Sequence, residues 1–201
     1  MNEKYELTEE FKEIETLREG WLQKIKVFRI RALRAFADVK IGDLGGFVET
    51  KQNLSNMGNA WVYGNAEVYG NARVCDNARV CDNAWVCGDA WVCGDAKVCN
   101  NARVYGNAEV CGDAKVCDNA NIFWCSSIGS RHATTTMFRN KDNGITVTCG
   151  CFMGTLEEFA AIVEKEHGEN IFGKEYKLLI ELAKIHFGLQ DETKGEEENG
   201  I

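Results

Sequence analysis

Between residues 59 and 124 small and branched apolar residues return at a fixed interval of six. The hexads read NAWVYG, NAEVYG, NARVCD, NARVCD, NAWVCG, DAWVCG, DAKVCN, NARVYG, NAEVCG, DAKVCD and NANIFW. Alanine opens each apolar pair, from Ala60 to Ala120, and a branched aliphatic follows two places later, from Val62 to Val116 and then Ile122. Two apolar positions spaced by two lie on one side of a short strand. Each strand is followed by a pair drawn from Gly, Asp and Asn, residues that accept left-handed or turn backbone and so suit a corner. A strand and a corner repeated eleven times wind into a parallel β-helix.

The flanks carry other patterns. Residues 8–24 (TEEFKEIETLREGWLQK) read as a short amphipathic helix, residues 27–33 (VFRIRAL) alternate like a strand, and residues 37–49 (ADVKIGDLGGFVE) form a degenerate opening coil. Past Trp124 the repeat stops. HATTTMFR and ITVTCGCF flank KDNG, whose Asn143-Gly144 pair signals a hairpin. Thr155 and Glu158 make a capping box that opens a helix to about residue 167, and a second helix spans about 174–187. The expected organisation is a helix and strand cap over 1–36, the β-helix over 37–124, a hairpin plus two-helix module over 125–189, and a disordered acidic tail over 190–201.

Composition narrows the function classes. With 23 Lys and Arg against 31 Asp and Glu, the net charge of −8 speaks against a duplex nucleic-acid binder, which carries a basic face. The charged N-terminus resembles no secretory signal and no stretch is apolar enough to span a membrane, so a cytoplasmic protein is expected. In a reducing cytosol the ten cysteines should remain thiols. Proline is absent, leaving the corners to Gly, Asn and Asp.

Val62 with Ala66, and Val68 with Ala72, match the motif of the hexapeptide-repeat family of left-handed parallel β-helices, which the repeats resemble. The resemblance implies left-handed winding and three hexads per triangular coil. Residues 18 apart then stack. One face presents Trp61, Arg79, Lys97 and Lys115, a second Glu67, Trp85, Arg103 and Asn121, the third Arg73, Trp91 and Glu109. More widely, KYELT (4–8), FRIRALRAFADVKIGDLGGFVE (28–49), NLS (53–55), the repeats, IGSR, CGCF and GTLEEF are similar to hexapeptide-repeat proteins of phages and prophages of Gram-positive bacteria, often described as transferases. That resemblance implies a mobile-element origin and supplies no catalytic residues. Small phage proteins of this kind can sequester nucleotide-derived signals of bacterial immunity, which makes an anti-defence sponge one expected function.

The candidate chemistry is sparse. Cysteines every six residues place neighbours on different faces, and stacked ones point in parallel, so no metal site and no disulfide is expected. Cys149 and Cys151 share one side of a strand and with His132 could supply three metal ligands, but no fourth is evident. An acyltransferase of this fold needs a histidine base; the hexads have none, and His132 is the one candidate, since His167 and His186 fall on the terminal helices. The outward Trp61, Trp85 and Trp91 point to self-association, as a trimer by family habit. Trp124, Ser130, Arg131, His132, Thr134 and Thr136 gather an aromatic, hydroxyls and a guanidinium where solenoid meets C-terminal module, a set suited to a nucleotide-type anion. The expectation is a non-enzymatic oligomeric binder without cofactor, with a protein-binding solenoid or an acyltransferase as alternatives.

Overall fold

The computed structural model describes residues 3–18 and 20–189. Its centre is a β-solenoid of ten two-residue strands: β4 (Trp61–Val62), β5 (Glu67–Val68), β6 (Arg73–Val74), β7 (Arg79–Val80), β8 (Trp85–Val86), β9 (Trp91–Val92), β10 (Lys97–Val98), β11 (Arg103–Val104), β12 (Glu109–Val110) and β13 (Lys115–Val116). They stack as three parallel sheets, β4-β7-β10-β13, β5-β8-β11 and β6-β9-β12. The register sets Trp61 beside Arg79, Glu67 beside Trp85 and Arg73 beside Trp91, so one coil is 18 residues. Inside, every Ala from Ala60 to Ala114 and every Val from Val62 to Val116 is buried. Backbone bonds such as Trp61 N to Ala78 O (3.0 Å) and Tyr63 N to Val80 O (2.7 Å) tie each coil to the next.

The corners explain the Gly, Asp and Asn choices. Asp76, Asp82 and Asn100 hold positive φ of 59°, 62° and 56°, a region that short polar residues tolerate. At Gly94 (φ 67°) a Cβ would also sit 2.8 Å from the Gly112 nitrogen of the next coil, so only glycine fits. Asparagine side chains bridge coils as well: Asn59 Nδ2 donates to Asn77 Oδ1 (2.9 Å), and Asn77 Nδ2 to Asp95 Oδ1 (3.0 Å).

The N-terminal segment corrects the expected helix. Residues 8–24 belong to an antiparallel hairpin, β1 (Tyr5–Arg18) and β2 (Trp21–Ala32), which pairs Tyr5 with Ala32 and Arg18 with Trp21 and shifts register at a bulge between Leu7 and Phe11. Alternate residues Lys12, Ile14, Thr16 and Arg18 are less exposed than their neighbours. Only Ile14 among them is apolar, which hid the two-residue period. Lys12 instead lies over the Phe47 ring (4.0 Å) and pairs with Glu67 (3.2 Å), while Arg18 pairs with Glu49. β3 (Leu44–Val48) pairs with β2 and lies parallel to β5, setting Val48 beside Val68 as the opening coil.

Strand β4 ends its sheet, and Lys4 meets the edge it leaves. Its buried ammonium donates to Ala60 O (2.8 Å), while the one Tyr5 hydroxyl proton is shared between Leu54 O (2.9 Å) and Lys51 O (3.0 Å). Trp61, expected outward, is 1% exposed. Tyr5 and Phe36 meet it edge-on at 6.1 and 5.4 Å, so the N-terminal cap takes it out of the exposed aromatic surface.

At the other end the expected hairpin is part of a four-stranded antiparallel sheet, β14 (Ile122–Ile128), β15 (Ala133–Arg139), β16 (Ile145–Cys149) and β17 (Phe152–Thr155). One face, with Ile122, Trp124 and Phe138, packs on the solenoid core. The other, with Phe123, Met137 and Val147, packs on α1 (Leu156–His167) and α2 (Ile171–Phe187). Buried Thr136 and Thr148 close the edge of the last coils: Glu109 N donates to Thr136 Oγ1 (3.1 Å) and Thr148 Oγ1 to Glu109 O (3.2 Å). The Thr155 capping box opens α1, and Asn170 caps α2. Neither described helix is long and apolar enough to cross a membrane. The segment expected as an acidic tail, 190–201, lies outside the described residues.

Among the cysteines, Cys99 and Cys117, one coil apart, are joined as a disulfide, contrary to expectation. Their Cα atoms lie 4.5 Å apart, inside the range of about 4.4–6.8 Å that such a bond spans even between side chains of one ladder. The other eight are free thiols.

Candidate functional site

The loop between β14 and β15 lies over the helical face of the C-terminal sheet. Gly129 N donates to Glu175 Oε2 of α2 (3.0 Å). Gly129 has φ 70°, and a side chain there would overlap the Tyr176 hydroxyl. Pinned in this way, the loop delivers Ser130 and Arg131 to a cleft of about 280 Å³. Its other walls include Phe152 of β17, Phe159, Glu166 and His167 of α1, and Tyr176 of α2. The floor is sulfur and hydroxyl: Thr135 Oγ1 donates to Cys149 Sγ (3.2 Å), and Cys149 Sγ lies 3.8 Å from the Tyr176 hydroxyl.

The walls are aromatic and mutually packed. Phe159 meets Phe152 at 5.4 Å and Tyr176 edge-on at 5.5 Å, and the His167 ring lies 5.7 Å from that of Tyr176. Burial, together with the Cys149 contact, pushes the Tyr176 phenol up to about 12, so it remains a neutral donor throughout the physiological range. Arg131 is the exposed cation at the rim. The cleft therefore offers a guanidinium and hydroxyl donors beside apolar ring faces, the combination that holds an anion attached to a flat ring.

The six residues expected to share one site are divided by the sheet. Ser130 and Arg131 line the cleft. Trp124 lies on the solenoid side, edge-on to Tyr105 at 4.5 Å. Thr136 is spent on Glu109 N, and Thr134 Oγ1 meets Ser126 Oγ (2.9 Å). His132 is an exposed turn residue with φ 48° and is not among the cleft residues, whereas Cys149 and Cys151 are, so the three do not meet there as ligands. The residues that sequence reasoning missed are Phe159, Val163, His167 and Tyr176. The first three are four residues apart on α1, a spacing that aligns them on one helix face and could have found them.

Trp85 and Trp91 remain on the outside of the solenoid, 39% and 47% exposed, on adjacent sheets. The Arg103 guanidinium covers part of Trp85 at 4.6 Å. The tip of the β1–β2 hairpin adds exposed Leu17, Trp21 and Leu22.

No curated protein matches the chain. Residues 72–88, which run through β6, β7 and β8, match the family model of the YdcK beta solenoid repeat, so this stretch of the coil is similar to that repeat.

Proposed function

We propose that this β-solenoid repeat protein is a non-enzymatic binding protein whose Arg131 cleft takes a phosphate or similar anion joined to a planar ring, and that it works as an oligomer. The observation that carries this reading is the placement of Arg131 and Ser130 opposite Phe152, Phe159 and Tyr176 in one cleft. At about 280 Å³ the cleft lies at the lower limit of ligand sites, roughly 300–1,000 Å³. Such a volume fits one phosphate and one ring better than a whole dinucleotide. Glu166 opposes an excess of negative charge and can accept from an amine on the ring. With the resemblance to phage proteins, this ligand class sharpens to nucleotide-derived immune signals, held away from their receptors.

A second reading, a protein-binding solenoid, is favoured by exposed Trp85, Trp91 and the Leu17, Trp21 and Leu22 hairpin tip, because large aromatics on a strand face usually await a partner. Native mass spectrometry of the protein purified from a bacterial cytosol separates the two. The first reading predicts a multimer carrying a small anionic mass. A multimer with no retained mass, joined by stoichiometric host protein, would favour the second reading and contradict the first.

A further inference from the structure

A six-residue spacing sends successive cysteines to different faces, and stacked ones were expected to run parallel without binding a metal. The 18-residue coil brings them back into files. Cys75, Cys93 and Cys111 stand one above another beside β6, β9 and β12, held by Cys75 N to Val92 O and Cys93 N to Val110 O, both 3.0 Å. All three are free and half-buried. The Cys75 and Cys93 sulfurs and an Asp76 oxygen lie within 4.8 Å of one another, as do the Cys93 and Cys111 sulfurs and a Glu109 oxygen. The file continues past the last coil, where Met153 Sδ of β17 lies 3.9 Å from Cys111 Sγ.

We infer that this file of three thiols and a thioether is a binding site for a soft monovalent cation, cuprous copper in a cell, with Cys93 shared between two ions. A metal–thiolate bond is about 2.3 Å, and two in line span about 4.6 Å, close to the ~4.8 Å rise between strands. An ion midway between stacked thiolates is thus bound in line, with no need for the side chains to turn toward each other. Linear sulfur pairs suit a closed-shell monovalent ion. Zinc needs four ligands in a tetrahedron, and the fourth sulfur here is a thioether, a ligand that selects copper(I).

Access and protons are provided for. A groove of about 400 Å³ lined by Gln52, Ser55, Arg73 and Trp91 opens on Cys75. The Trp91 indole donates to the Cys75 sulfur at 3.1 Å, so an ion bound there lies against its ring. Asp76, fixed by Gly94 N (3.1 Å), lies 3.7 Å from Cys75 Sγ and can accept its proton. Two ions entering the file release three thiol protons.

The test is an anaerobic titration of the full chain with copper(I) against a chromogenic chelator, following Trp91 fluorescence and metal content. It uses a background in which Cys81, Cys99 and Cys117 of the first face are serine. Two ions per chain with quenched tryptophan emission are expected. Cys93→Ser should lose both ions and Cys75→Ser one, with circular dichroism unchanged. Should Cys93→Ser fail to fold, Met153→Leu decides: it should weaken the tighter-held ion about tenfold, as losing even an outer partner does. Copper retention no better than in a Cys75, Cys93 and Cys111 to serine variant would overturn the proposal. So would zinc held as tightly as copper, or copper affinity indifferent to Met153→Leu.

Discussion

Replacing Lys4 by Met should remove a stabilising contribution that grows between pH 7 and 9.5, while the half-buried thiols of Cys75, Cys81 and Cys87, whose pKa values are raised, pull stability down with pH equally in both proteins. The Lys4 ammonium is buried, and burial, aided by the nearby Arg34 charge, lowers its pKa from 10.5 to about 8. Between those values the unfolded chain binds a proton that the folded chain does not, so the Lys4 contribution to stability rises with pH there. Below pH 8 both states are protonated and the whole penalty of the buried charge is present. The shift of about 2.5 units corresponds to roughly 3 kcal/mol at about 1.4 kcal/mol per unit. Of this, about 2 kcal/mol is recovered between pH 7 and 9.5 as an upper figure, since salt screens the Arg34 part. At pH 7 Lys4→Met removes that penalty but also leaves Ala60 O without its donor, a loss of about 1–3 kcal/mol. The two nearly cancel, so the informative quantity is the slope. Urea unfolding at pH 7 and 9.5, on both proteins, measures it. From pH 7 to 9.5 the wild type should change in the stabilising direction by about 2 kcal/mol relative to Lys4→Met; an equal change in the two proteins would refute the reasoning.

Other perturbations probe the caps and faces. Trp61→Ala empties the site between Tyr5 and Phe36 and should cost about 3–5 kcal/mol in chemical unfolding; under 1 kcal/mol would mean that the N-terminal cap does not cover it. Thr155→Ala breaks the capping box of α1 and should lower stability by ~1 kcal/mol, with Thr155→Ser restoring most of it. Converting Trp85 and Trp91 together to Lys should shift light scattering from multimer to monomer; an unchanged mass would place the oligomer contact elsewhere.

The solenoid was legible because its signal is redundant: each Ala and Val pair repeats the same inward assignment, and a wrong reading of one hexad cannot move the rest. The coil length needed the family resemblance, since a period of six is silent on how many hexads close a turn. The N-terminal hairpin was hidden by its own chemistry. Lys12, Thr16 and Arg18 sit on the less exposed side of β1, stabilised by Phe47, Glu67 and Glu49, while Phe11, Ile14 and Leu17 mimic a helix face by their spacing of three. At the site, proximity in sequence misled. Trp124, Thr134 and Thr136 have the same parity on paired strands, and alternation sends them to the solenoid face. Arg131 lies in the loop and so escapes that rule, reaching the helical side. His167 and Tyr176 come from helices that only tertiary packing brings over the loop.

The central claim is that the Arg131 cleft binds an anion carrying a ring. Isothermal calorimetry of wild type and Arg131→Ala against nucleoside monophosphates, ADP-ribose derivatives and cyclic dinucleotides tests it most directly. The account predicts saturable heat from at least one of these with wild type and none with Arg131→Ala, while the empty variant melts with the wild type because Arg131 is an exposed rim residue. No heat from any of them with the wild type, or equal binding by Arg131→Ala, would contradict it.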